Sequence, residues 1–114
     1  MLTLDDYKFR LKNLSAKFDD CCLAFDTEKM KSRLAELDGL RQAPDFYSDT
    51  KRAAEINAEA KYISDKLEEL SGYRSGLSDL ETLIELVEAE SDDNYLGEIE
   101  ETLDSLGGKI EQLH

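Results

Sequence analysis

The sequence predicts an all-α fold: an elongated four-helix bundle built on a long, antiparallel, coiled-coil-like helical hairpin, with two shorter N-terminal helices packed alongside. Three observations carry this expectation. Apolar residues recur at steps of three and four almost throughout, the spacing that keeps side chains on one stripe of a helix. One Pro, no Trp and six Gly in 114 residues are too sparse a punctuation for many short strands and turns. Charged residues make up 36% of the chain, and with abundant Ala and Leu they give the composition of long solvent-facing helices. The whole of 1–114 reads as a single domain, burying roughly 65% of its unfolded surface around one modest core.

The first helix is expected over about 3–22, where Leu4, Tyr7, Leu11, Leu14, Phe18, Cys21 and Phe25 alternate by three and four. Thr3 can cap it, and Asp5 and Asp6 complement the positive end of the helix dipole. The Asp-Asp-Cys-Cys stretch is a poor helix former, which makes the C-terminal boundary soft. A second helix is expected over about 27–42, capped by Asp26, with Phe25 and Met30 placed to form a hydrophobic staple. Met30, Leu34, Leu37 and Leu40 supply its apolar stripe, and Pro44 ends it by disfavouring helical geometry in the residue before it.

The segment 44–49, Pro-Asp-Phe-Tyr-Ser-Asp, is the one non-helical stretch with distinctive chemistry. Its two aromatics are expected to pack back on the helices, since exposed neighbouring aromatics are costly without a partner. Asp49 then caps a long third helix, expected over about 50–90, on which Ala53, Ile56, Ala60, Ile63, Leu67, Leu70, Tyr73, Leu77, Leu80, Ile84 and Val87 trace one stripe. Two steps of three in a row, Leu67–Leu70–Tyr73, disturb the heptad. Gly72 and Gly76 beside that slip predict a bend or local fraying. The cluster 91–94, Ser-Asp-Asp-Asn, reads as a turn with capping. A fourth helix follows over about 93–112 through Leu96, Ile99, Leu103, Leu106, Ile110 and Leu113, its distal end weakened by Gly107 and Gly108.

Charge excludes some functions. Residues 1–52 hold ten Lys/Arg and ten Asp/Glu, whereas residues 53–114 hold four bases and seventeen acids, so the net charge of −13 lies in the second half. Between Arg74 and Lys109 there are eleven carboxylates and no base. Such a surface repels phosphate backbones, and direct DNA binding is not expected. Adjacent Cys21 and Cys22 cannot meet normal bridge geometry within a helix. They read as partly buried thiols of a reducing, cytoplasmic compartment rather than a disulfide framework or soft-metal trap. No stretch is long and apolar enough to span a membrane, and the N-terminus lacks a signal peptide's pattern.

Catalytic chemistry is not expected. His114 is the sole histidine and sits at the chain end. Asp92-Asp93-Asn94 lacks the alternate spacing and closing Glu of a calcium loop, and capping explains it. With no His within the helices, a dinuclear carboxylate site is not expected. No cofactor and no metal are called for.

The middle of the chain carries a signature. Phe25-Asp26, then Arg33-Leu34-Ala35-Glu36-Leu37, then Ala43-Pro44-Asp45-Phe46-Tyr47-Ser48-Asp49, then Ala53-Ala54 closely resembles the N-terminal helical domain of the bacterial peptide chain release factor 2 family, of the class I release factors. That family often has Trp where this chain has Tyr47; release factor 1 lacks the cluster. The resemblance is sharp over about 25–60 and mostly periodicity elsewhere. It implies translation termination at UGA and UAA codons, in which this domain docks near the GTPase-associated region of the ribosome. The family's peptide-releasing Gly-Gly-Gln and codon-reading Ser-Pro-Phe tripeptides do not occur in these 114 residues; Gly107-Gly108-Lys109 has the wrong third residue. The expectation is therefore a non-catalytic docking domain, monomeric, whose chemistry resides in the remaining release factor domains of a full chain. Candidate partner contacts are Arg33, Asp45, Phe46, Tyr47 and Asp49, within a docking surface on the first two helices and the 44–49 turn. The alternative is a stand-alone acidic coiled-coil adaptor or holdase-like protein, which would require a stable oligomer.

Overall fold

The computed structural model describes residues 2–113, so His114 lies outside the described residues. Four α-helices are present, α1 Leu4–Phe25, α2 Thr27–Arg41, α3 Thr50–Glu90 and α4 Leu96–Glu111, with 3-10 turns at Phe46–Ser48 and Asp93–Tyr95. No strand occurs among the described residues. The all-α expectation holds, and α3 has the expected bounds. The chain divides into two compact units: residues up to Cys22 together with those from Gly72 onward, and Leu23–Ser71.

Local chemistry sets the helix ends. At the start of α1 the Asp6 N–H donates to Thr3 Oγ1 (3.3 Å), and the Thr3 N–H and hydroxyl donate back to Asp6 Oδ2 (2.8 and 3.0 Å). This reciprocal cap satisfies donors the first turn would otherwise leave unpaired, and the Thr3 hydrogen bonds hold the Asp6 carboxyl below its usual range. α1 runs three residues beyond its expected end, through Asp-Asp-Cys-Cys. Propensity is a weak prior that packing overrides: Phe18 is fully buried, the Arg74 guanidinium lies 4.6 Å from its ring centroid, and Arg74 also pairs with Asp19 at 2.8 Å. Asp26 then stops α1 in the left-handed conformation (φ 54°) and caps α2, accepting from the Lys29 N–H at 3.2 Å. Asp49 caps α3 by accepting from the Arg52 N–H at 3.0 Å.

In the first unit, ion pairs fix the directions of the helices. Lys8–Glu88 (2.7 Å) and Asp19–Arg74 (2.8 Å) set α1 antiparallel to this part of α3, and Arg10–Asp104 (2.7 Å) and Lys17–Glu111 (3.5 Å) set it parallel to α4. These exposed pairs are each worth about 0–1 kcal/mol; the larger stabilisation comes from burial. Tyr7, Leu11 and Phe18 of α1, Leu77, Leu80, Ile84 and Val87 of α3, and Ile99, Leu103, Leu106 and Ile110 of α4 are all buried, at about 1.5–3 kcal/mol for each large side chain.

In the second unit, α2 and the first part of α3 form a helical hairpin. Its core is Leu37, Phe46, Ala53, Ile56, Ala60 and Ile63, flanked by Met30, Leu34, Leu40 and Leu67.

Two sequence expectations change. Helical structure continues through Gly72 and Gly76 without fraying; a Cβ at position 76 would lie 3.2 Å from Leu106 Cδ2, so that glycine serves a close approach rather than a break. α4 begins at Leu96 instead of residue 93, because 93–95 form a 3-10 turn, and it passes through Gly107 and Gly108 to Glu111 with Ile110 buried. α1, at 22 residues, and α2, at 15, are both shorter than the 41-residue α3, as expected.

Candidate interaction surface

The turn between α2 and α3 brings four of the five candidate residues together. Pro44 cannot continue α2, whose last turn is closed by the Gln42 N–H donating to Gly39 O and the Ala43 N–H donating to Leu40 O. The chain then makes one 3-10 turn, Phe46–Ser48. Consecutive residues of a 3-10 helix point about 120° apart, so two neighbours cannot enter the same core. Phe46 is inserted, at 2% exposure, and Tyr47 stands out, at 73%. The expectation that both aromatics pack is therefore corrected: only Phe46 does, and its side chain belongs to the core rather than to the surface. Tyr47 meets it edge-on, with ring centroids 4.8 Å apart and planes at 79°. The contact uses one side of the ring, and most of Tyr47 stays open. Asp45 and Asp49 flank the pair and are exposed, with one Asp49 oxygen committed to the cap of α3.

Arg33 lies elsewhere, eight residues before the end of α2 and so about 12 Å along the helix. Its Nε and Nη2 donate to Glu59 Oε2 and Oε1 (2.7 and 2.9 Å), and its Nη1 donates to Glu36 Oε1 (2.9 Å). The bidentate fork is the strong geometry for this pair. It holds the Glu59 carboxyl below its usual range and raises the guanidinium further above its already high one. With its donors engaged in this way, Arg33 braces α2 against α3.

Lys51 and Arg52, just after the turn, were not among the sequence candidates. Both are exposed in the first turn of α3, which contains no acid. The Asp49 carboxylate that caps this turn supplies the negative charge the helix dipole favours there.

The first unit offers a groove of about 450 Å³ between α1 and α3, with Lys8 and Lys12 on one rim, Glu81 and Glu85 on the other, and Leu11 and Ile84 below. Cys21 and Cys22 are half-buried free thiols, and burial pushes the Cys22 thiol up, away from the thiolate that reactivity requires. Among the described residues, no group of three or more His, Cys, Asp or Glu is placed to hold a metal ion. No described helix is long and apolar enough to cross a membrane.

Helices joined by short turns define an all-α domain. Residues 30–114 match the model of the PCRF domain, and the chain belongs to that family. It is 31% identical over 112 residues to peptide chain release factor 2 of Salinispora tropica, covering 98% of this chain and 30% of that protein. It is also 31% identical over 112 residues to peptide chain release factor 2 of Campylobacter concisus (96% of this chain, 31% of that one). Against peptide chain release factor 2 of Neisseria gonorrhoeae it is 30% identical over 103 residues (90% and 28%). The resemblance read from the sequence is thus confirmed, and the chain spans about 30% of the length of the relatives it matches.

Proposed function

We propose that this chain is a ribosome-docking, non-catalytic helical domain of the release factor 2 type, acting in the cytoplasm. Its role is to orient a factor whose remaining domains read UGA and UAA stop codons and release the finished peptide. The observation that carries this reading is the family match over 30–114 together with relatives named release factor 2 that align with nearly the whole chain. The exposed Tyr47 beside Asp45 and Asp49 supports docking through the α2–α3 turn. The family's docking place near the GTPase-associated region of the ribosome is part of the proposal.

The test is sedimentation of the purified chain with 70S ribosomes carrying a stop codon in the A site, run beside a peptide-release assay on the same ribosomes. The chain is expected to pellet with ribosomes and to release no peptide. Failure to pellet at micromolar concentration refutes docking, and stop-codon-dependent release by the chain alone refutes its non-catalytic role. Exposed Phe9 and Leu86 favour the second reading, an acidic coiled-coil adaptor. That reading needs a stable oligomer, so sedimentation velocity showing a monomer removes it.

A further inference from the structure

We propose that the outer face of α1 pairs with the same face of a second copy of this chain, the two helices running antiparallel about Ala16. On that face Phe9, Ala16 and Leu23 recur at intervals of seven, which keeps them on one stripe of the helix. All three are exposed, Phe9 at 65% and Leu23 at 78%. Large apolar side chains in register on one face, outside the core, form half of a seam that another helix completes. The charges of α1 give a second observation. Beyond the first turn, Lys8, Arg10, Lys17 and Asp19 each form an ion pair within the chain, with Glu88, Asp104, Glu111 and Arg74. Lys12 and Asp20 form none among the described residues. These two border the apolar stripe, one four residues before Ala16 and the other four residues after it.

The stripe and the unpaired charges share one centre, and that selects the occupant. Phe9 and Leu23 stand seven residues on either side of Ala16, and Lys12 and Asp20 stand four. A two-fold axis through Ala16 brings Phe9 of one copy level with Leu23 of the other, and Lys12 level with Asp20. Each contact then occurs twice, the self-complementarity that an isologous dimer requires. A parallel pair would instead set Lys12 against Lys12 and Asp20 against Asp20. Ala16, the smallest of these side chains, lies on the axis where crossing helices come closest, and the larger Phe9 and Leu23 lie where they diverge. Net charge selects the same face. Residues 1–52 hold ten bases and ten acids, whereas the exposed Leu86 sits among the eleven carboxylates between Arg74 and Lys109, with no base; two copies meeting there repel. The seam spans about 21 Å of helix. It uses none of Asp45, Tyr47 and Asp49, so it goes beyond docking and does not depend on it.

The experiment is sedimentation equilibrium of the chain and its variants under reducing conditions, up to about 500 μM, a range suited to a small interface of the weak class. A dimer is expected. Phe9→Ala is expected to weaken it at least about tenfold, since two rings leave the seam. Lys12→Asp and Asp20→Lys are each expected to weaken it about tenfold, because each turns two attractions into repulsions. The two together are expected to restore it, since the pairs re-form with their signs exchanged. Circular dichroism is expected to match the unsubstituted chain throughout, as these positions lie outside the core. The axis is read separately. With Cys21→Ser and Cys22→Ser in place, Ala16→Cys is expected to form a disulfide-linked dimer under mild oxidation faster than Ser105→Cys, which is exposed on α4. A chain that stays monomeric to the highest concentration overturns the proposal. A dimer that the charge exchange fails to restore, or that links no faster through Ala16→Cys than through Ser105→Cys, joins by another face and overturns it equally. Ribosome sedimentation of Phe9→Ala reports on docking independently, because the α2–α3 turn is unchanged.

Discussion

Replacing Phe46 and Tyr47 one at a time by alanine tests whether a single 3-10 turn divides two neighbouring aromatics between core and surface. Phe46 is 2% exposed and packs among Leu37, Ala53, Ile56, Ala60 and Ile63. Its removal loses the transfer free energy of the ring and leaves a cavity in a small hairpin core, a cost of about 3–5 kcal/mol. Tyr47 is 73% exposed. It gives up little burial, and its truncation loses only the edge-to-face contact with Phe46, about 0.5–1.5 kcal/mol. The assay is urea unfolding followed by circular dichroism at a helical wavelength. With a slope of about 1.5 kcal/mol per molar urea, reasonable for a chain of this size, Phe46→Ala lowers the midpoint by about 2–3 M and Tyr47→Ala by at most about 1 M. Equal shifts, or a larger one for Tyr47→Ala, would refute the division on which the candidate surface rests.

Three further outcomes follow from local geometry. Gly72→Ala is expected to raise stability by about 0.5–1 kcal/mol, because a Cβ there meets nothing within 4 Å and alanine suits a helix interior. Gly76→Ala should gain less, since its Cβ would lie 3.2 Å from Leu106 Cδ2; equal gains in thermal unfolding would contradict that packing. Ser91 ends α3 at φ 52°, with the Asp92 N–H donating to Val87 O at 3.3 Å, the geometry in which glycine is favoured. Ser91→Gly should therefore stabilise by up to about 1 kcal/mol in the same assay, and a loss would argue against a left-handed stop. Because Arg33 holds the Glu59 carboxyl low, the unfolded chain protonates this group first on acidification. The pair's contribution is fully present above the ordinary pKa of 4.5 and is lost as pH falls from there through the lower folded value. Glu59→Gln should flatten that part of the stability–pH curve, and an unchanged curve would show that the fork does not form in solution.

Much of this fold is legible in the sequence because the physics that sets it is local. The three-four periodicity of apolar residues marks every helix, and the positions it singles out in α3 and α4, from Ala53 to Ile110, are largely the buried ones. The caps at Thr3, Asp26 and Asp49 can be read directly, since each needs only a short acceptor side chain next to the N–H groups of the following turn. The Pro-Asp-Phe-Tyr cluster and its helical setting also suffice to point to the family.

What the sequence leaves undecided depends on which groups meet across the fold. Helix propensity argues for ending α1 near residue 22, but Phe18 and Asp19 find Arg74 some fifty residues away, and the helix continues. Gly76 reads as a weak point until Leu106 of α4 is seen to need the space of its missing Cβ. Arg33 reads as a candidate contact until Glu59 and Glu36 occupy its donors. Phe46 and Tyr47 are near equivalents in composition, and only the sense of one turn sends the first into the core and the second into solvent. Periodicity and capping act within a few residues of one chain segment and are therefore written in it. Partner choice and exposure are set by residues distant in sequence, so only the tertiary structure decides them.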